Sequence, residues 1–223
     1  VNSLDFLVPL TATLTPETFA RFRLSTDAGL SFDGLASDGE VEDYAVAIFS
    51  PDYFFDFGTS TSPVELGYLR LTGDDAYSAG VGYGWLAGNV NEADRGGASA
   101  LLRDFAHTRG ATFAVDVPDG DYNVTITLGD AGNIRDFMQV KIEGVEVDVV
   151  TTASGEFHPA TYFTSVSDGQ LTIEFDDLGG VNPMVMVNAI VVESGATPPV
   201  DTTGPSVVSA IPSDTSVNPI DRF

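Results

Sequence analysis

Three glycine-bearing turns, Asp119-Gly120, Glu143-Gly144 and Asp168-Gly169, each separate two short runs of β-forming residues. This punctuation confines the chain to a stack of short strands. The clearest run is 121–128. There Tyr122, Val124, Ile126 and Leu128 take one side, and Asn123, Thr125 and Thr127 the other. A period of two puts one face in a core and one in water. The spacing predicts a hairpin at Pro118-Asp119-Gly120, joining 112–117 to 121–128. It predicts a second at Glu143-Gly144, joining 137–142 to 145–150, and a third at Asp168-Gly169, joining 162–166 to 171–175. Residues 184–192 are almost continuously apolar, as in a strand buried on both faces. About eight strands with short turns predict an all-β fold, an antiparallel β-sandwich of jelly-roll type.

Composition agrees and adds exclusions. Fifteen Phe and seven Tyr favour strands over helices, and 23 Gly with 12 Pro supply their turns. Nine basic residues against 33 acidic ones leave a net charge of -24, and Lys141 is the sole lysine. Such a surface repels phosphate backbones and anionic membranes, so nucleic acid is excluded as a partner. No apolar run is long enough to insert in a bilayer. The carboxylates fit either a solvated acidic surface or a supply of oxygen ligands for Ca²⁺. Without cysteine there is neither a disulfide nor a thiolate metal site.

Residues 1–49 contain three strand-like runs, 4–10, 18–25 and 41–49. Three strands leave two open edges, so this segment is expected to need a partner sheet. Its phrases Ala20-Arg21-Phe22-Arg23-Leu24-Ser25-Thr26 and Asp38-Gly39-Glu40-Val41-Glu42-Asp43-Tyr44 occur in the order seen in the bacterial extracellular module named for its GEVED signature. The segment resembles the C-terminal half of that module. Residues 50–194 form the sandwich, 195–205 read as a Pro- and Thr-containing linker, and 206–223 resemble the opening of a bacterial Ig-like repeat. We expect a segment of a longer, exported multi-domain protein whose export signal lies upstream, with neighbouring domains of the same polypeptide as partners.

Residues 73–110 are turn-rich and lack clear alternation, which predicts a long functional loop. Tyr77, Tyr83, Trp85, Arg95, Arg103 and Asp104 lie in it. Pyranose rings stack their C–H faces on aromatic rings while their hydroxyls bond amides, carboxylates and guanidinium groups. With Asn182, these residues are the candidate ligand-binding set. Trp85 is either the stacking platform or a core anchor, and Arg103 with Asp104 either contacts ligand or forms an ion pair holding the loop.

Several phrases in order carry a wider likeness: Phe55-Asp56-Phe57-Gly58, Tyr77-Ser78-Ala79, Gly82-Tyr83-Gly84-Trp85, Leu102-Arg103-Asp104-Phe105, Val117 to Tyr122, Leu128-Gly129-Asp130 and Val187-Asn188-Ala189-Ile190. This block resembles the galactose-binding-like, or malectin-like, modules attached to bacterial polysaccharide lyases and carbohydrate esterases. The resemblance implies a non-catalytic module that binds a polysaccharide or other glycan through loops at one end, and frequent structural Ca²⁺. Asp56, Asp176 and Asp177 are the candidate metal ligands, although the latter two also suit a solvated strand end. The competing expectation is a calcium-stiffened spacer or adhesin unit with no sugar site. His107 and His158 sit in no nucleophile phrase, so no catalytic residue is assigned.

Overall fold

A computed structural model describes residues 15–48, 52–97 and 99–195, with the chain dividing into two compact units. In the smaller unit, β1 (Thr15–Leu24) pairs antiparallel with β2 (Glu40–Ile48), placing Arg21 opposite Asp43. Their side chains form a two-point ion pair at 2.6 and 2.7 Å. Arg23 donates to the carbonyls of Ser31, Asp33 and Gly34, which shapes the long turn between the strands. The strand expected at 4–10 and the Ig-like opening at 206–223 lie outside the described residues.

The larger unit holds ten strands: β3 (Tyr53–Phe57), β4 (Leu69–Leu71), β5 (Tyr83–Asp94), β6 (Asp104–Asp116), β7 (Gly120–Gly129), β8 (Arg135–Ile142), β9 (Val145–Thr152), β10 (Phe157–Val166), β11 (Gln170–Asp177) and β12 (Val185–Ser194). They form two leaves, β10-β7-β12-β3-β4 and β5-β6-β11-β8-β9. Among the described strand pairs, β3–β4 alone is parallel. The leaves are stitched together along one edge of β12, where Val185–Val187 pair with β6 before β3 takes over that edge. Tyr53 and Val192 face each other there, and the Ser194 amide donates to Asp52 at 3.1 Å. The points where the chain enters and leaves the sandwich are therefore adjacent.

Alternation in β7 holds residue for residue, since Tyr122, Val124, Ile126 and Leu128 are all buried. Aromatic rings fill the space between the leaves. Phe55 and Phe57 of β3 meet Phe113 of β6 edge-on at 5.3 and 5.4 Å, and Phe57 packs on Trp85 at 5.4 Å. Residues 184–192 behave as expected of a doubly covered strand, with Val185 to Ile190 all buried.

Of the three expected hairpins, only Glu143-Gly144 is one: Ile142 pairs with Val145, and both turn residues have positive φ. The other two turns carry the chain from one leaf to the other. β6 and β7 lie in different leaves, as do β10 and β11. These two arches bond each other, Val117 N–H to the Gly169 carbonyl at 3.1 Å and Gly169 N–H to Asp119 Oδ1 at 2.9 Å. Alternation followed by Asp-Gly looks the same in an arch and in a hairpin, because both keep one face in the core.

The outer strands of the leaves are clasped by a carboxylate. Asp148 of β9 accepts from Tyr162 of β10 at 2.7 Å and lies 3.2 Å from His158 Nε2. Burial would raise this carboxyl, but the Tyr162, His158 and Val149 bonds outweigh it and hold it below its ordinary value. A depressed carboxyl stabilises the fold above its unfolded pKa of about 4 and loses that contribution as pH falls through the folded value. Tyr162→Phe is therefore expected to cost about 1–2 kcal/mol at neutral pH. Melting both proteins from pH 7 to pH 3 checks it, since the gap should narrow with acid.

Candidate functional site

The long stretch 73–110 is not one loop. It contains β5 and the first half of β6, and β5 runs the length of the sandwich. Twelve residues of extended chain separate Tyr83 from Arg95 by roughly 35 Å, so the candidate ligand residues fall into two groups at opposite ends. At the arch end, Tyr77 donates to the Asp116 carboxylate at 2.9 Å, and Gln170 donates to the same group at 2.9 Å. Tyr83 packs half-buried against Phe55 at 5.0 Å. Trp85 lies in the core at 6% exposure, with its indole N–H bonded to the Thr72 carbonyl at 3.0 Å. It presents no face to a ligand, which decides between its two sequence readings in favour of the core anchor.

The remaining candidates gather at the other end, among the segments 58–68, 95–97, 99–103, 130–134, 153–156 and 178–184. Its hub is Asp130, fully buried and unmarked in sequence except as part of Leu128-Gly129-Asp130. Arg95 grips it with Nε and Nη2, both at 3.0 Å. Arg135 grips it at 3.2 and 2.7 Å, and Gly132 N–H adds a bond at 2.8 Å. Burial alone would raise the carboxyl, but the Arg95 and Arg135 forks and the Gly132 bond together pull it far below the ordinary carboxylate range. Arg95 also lies over the Phe105 ring at 5.3 Å. His107 nearby is held below its ordinary pKa by burial and by the charges of Arg135 and Arg95.

Arg103 and Asp104 do not pair. Arg103 reaches back to Asp94, at 3.0 and 2.8 Å, while Asp104 turns inward to 1% exposure. Arg103 closes the turn and Asp104 opens β6 facing the core, so adjacency in sequence was the wrong guide. Asn182 joins the site through its backbone: Asp136 accepts from Val181 N–H at 2.7 Å and Asn182 N–H at 3.1 Å. The loop can wrap this closely because residue 180 is glycine, where a Cβ would stand 2.5 Å from Asp136 Oδ2. The amide side chain of Asn182 makes no bond among the described residues.

Beside that loop is a residue that sequence reasoning placed only in a strand. Phe137 has φ 52 and is 49% exposed. A bulky residue in the left-handed region is strained by about 1–2 kcal/mol, and here the strain accompanies an aromatic ring turned into solvent. Its carbonyl accepts from Leu178 N–H at 3.1 Å, and Ile134, Leu178 and Val181 add exposed apolar surface around it.

The expected metal set is not assembled. Asp176 and Asp177 end β11, where Asp177 accepts from Gly179 N–H at 2.9 Å and faces Arg109 at 3.9 Å, whereas Asp56 lies on β3 in the other leaf. Among the described residues no group of three His, Cys, Asp or Glu side chains is arranged to hold a metal. Burial pushes the Asp56 carboxyl up to about 6, against the opposing Glu65 N–H bond at 2.7 Å.

The family model described as beta-agarase/YxiM esterase-like, galactose-binding domain-like matches residues 53–181. The chain belongs to this family. The agarase/esterase galactose-binding-like family is represented among curated relatives by beta-agarase A of Zobellia galactanivorans, 33% identical over 132 residues. An uncharacterized esterase, YxiM of Bacillus subtilis, is 31% identical over 127 residues. These matches take in 56% and 54% of the chain but only 23% and 31% of the two relatives, so the chain spans about a quarter to a third of their length. The crystal structure of YxiM superposes with a TM-score of 0.54 at 28% identity, over 65% of this chain and 40% of that one. A calcium-binding mutant of beta-glucuronidase 2 from Bacteroides uniformis superposes at TM-score 0.50 with 13% identity, over 85% of this chain and 23% of that one, a likeness of fold. The galactose-binding-like sandwich expected from the sequence is thus the fold observed.

Proposed function

We propose that residues 53–194 form a non-catalytic glycan-binding module whose site is the loop end around Phe137, Asn182 and Arg95. The observation that carries this reading is Phe137, an aromatic ring held in solvent by a strained backbone. A pyranose C–H face would stack on it, the free amide of Asn182 would bond hydroxyls, and Arg95, with 37% of its side chain exposed, would add donors. Asp130 fixes Arg95 in advance, which lowers the ordering cost of binding.

Three carboxylates of this end are already engaged: Asp130 by two arginines, Asp94 by Arg103 and Asp136 by backbone amides. These three are not poised as an acid or a nucleophile, which favours an accessory role beside catalysis in a neighbouring domain. The name of the agarase relative favours a galactan such as agarose as ligand. A polymer of that size is met outside the cell, which favours an extracellular or cell-surface location. The alternative, a spacer without a sugar site, draws on the burial of Trp85.

Affinity electrophoresis of the full chain through agarose, pectin and xylan gels separates the two. Retardation in the agarose gel, weakened about tenfold by Phe137→Ala (about 1.4 kcal/mol) at unchanged melting temperature, is the expected result. No retardation in any gel would leave the spacer.

A further inference from the structure

A cavity of about 260 Å³ opens on the outer face of the leaf β5-β6-β11-β8-β9. Phe113 and Phe175 of β6 and β11 point into the core against Trp85, so their sequence neighbours face outward. The floor is nearly bare backbone, because Ala87 and Gly88 of β5 lie beside β6 where it carries Gly110 and Ala111. Strand register sets the polar wall. Thr112, Glu174 and Lys141 form one row across β6, β11 and β8, and Gly110 faces Asp176 in the next. Lys141 Nζ lies 3.8 Å from Glu174 Oε2, with 32% and 42% of the two side chains exposed. The Asp176 carboxylate accepts no bond among the described residues.

The same face leads to Phe137. Met138, Val140 and Ile142 of β8 are buried in the core, which turns Phe137, Gln139 and Lys141 outward. Gln139 faces Asp176, and one step further along Leu178 N–H donates to the Phe137 carbonyl. Four residues of strand separate Phe137 from Lys141, roughly 13 Å. The exposed ring and the cavity are thus two parts of one track that runs from the loop end onto the sheet.

We propose that this track binds an interior stretch of an uncharged, hydroxyl-rich polysaccharide, laid along β8 and β11 with one sugar on Phe137 and its neighbours over the cavity. The inference rests on the glycan reading above and names the kind of chain that the site takes. Glu174 and Asp176 accept hydroxyl protons, Lys141 donates to hydroxyl oxygens, and Thr112 does either. The glycine and alanine floor lets a ring settle close to the backbone. A sulfated or carboxylated chain would set its anions against Glu174 and Asp176, in a protein whose net charge is -24. A pocket for a chain end would close beyond Phe137, whereas this surface stays open in the direction of Lys141.

Calorimetry of the full chain with agarose-derived di-, tetra- and hexasaccharides tests it. Gly110→Leu fills the cavity without disturbing the strand, since a Cβ there meets only Asp176 Oδ1, at an ordinary 3.6 Å. Affinity is expected to rise with length in the wild-type chain. Gly110→Leu should bind the disaccharide as wild type does and the hexasaccharide about tenfold more weakly, the worth of one or two hydrogen bonds. Phe137→Ala should weaken both. If Gly110→Leu fails to fold, Lys141→Gln takes its place with the same expectation. Affinity independent of length, or a hexasaccharide unaffected by the substitution, would overturn the track and leave the Phe137 site standing. Equal binding of a sulfated hexasaccharide would overturn the uncharged class. Self-association that Gly110→Leu abolishes would give the face to a second copy of the chain instead. No binding at any length would sink the glycan reading and this inference with it.

Discussion

Trp85→Ala is expected to destabilise the sandwich by about 3–5 kcal/mol while leaving the glycan affinity of the folded protein within about twofold of wild type. The indole is a wall of the aromatic core, in contact with Phe57, Phe113 and Phe175. Its removal opens a cavity and leaves the Thr72 carbonyl without its donor. Chemical denaturation gives the stability change, and binding measured well below the transition midpoint gives the affinity. A variant that keeps wild-type stability and loses binding would place the tryptophan back in the site. The experiment matters because a single Trp in a sugar-binding sandwich is the obvious residue to mutate, and here lost binding on a gel would report unfolding.

Asp130→Asn is expected to cost about 3 kcal/mol, at the lower end of what breaking a buried ion pair costs. The effect centres on Arg135, whose side chain is 11% exposed and would be left charged without its partner. Arg95 is more open and is discounted for solvent screening. A loss of that size corresponds to a melting temperature about 6–12 °C lower. Its pH dependence has a definite sign. The folded carboxyl is depressed, so its stabilisation is complete above the unfolded pKa of about 4 and drains away as pH falls below it. The gap between wild type and variant should be widest near neutrality and shrink in acid. A gap independent of pH would mean that the amide replaces the carboxylate without electrical consequence. Glycan binding should fall with it, since Arg95 loses its anchor.

Much of the architecture could be read from local pattern, and the exceptions have physical causes. The period of two in 121–128 marked a strand and its inner face correctly because packing enforces alternation along each strand. β5 escaped notice because Gly84 and Gly88 interrupt it and its pairing with β6 shifts register twice. Its exposed residues run Leu86-Ala87-Gly88-Asn89 without a break, so no alternation survives to be read. Pairing partners were less visible than strands, as the two arches show, because turn chemistry does not say which leaf comes next. The site was least legible. Arg95 and Asp130 are 35 positions apart and meet only because β5 and β7, in different leaves, finish at the same end of the sandwich. Asp104 looked like the partner of Arg103, but β6 turns Asp104 inward while Arg103 reaches back to Asp94. Phe137 could have been suspected only from its backbone, which sequence does not display.

Residues 52 and 194 touch at the arch end, and the proposed site is at the other. The length of β7, ten residues or roughly 30 Å, separates attachment from recognition. A unit that starts and stops at one point behaves mechanically as a pendant. It can be inserted into a longer polypeptide with little disturbance to the flanking chain. Tension along that polypeptide would load the contacts that the end of β12 makes with β3 and β7, and would bypass the loops that carry the proposed glycan surface. Such a unit works as an outrigger: pulling on the host chain would undo its root before its tip lost hold of a polymer.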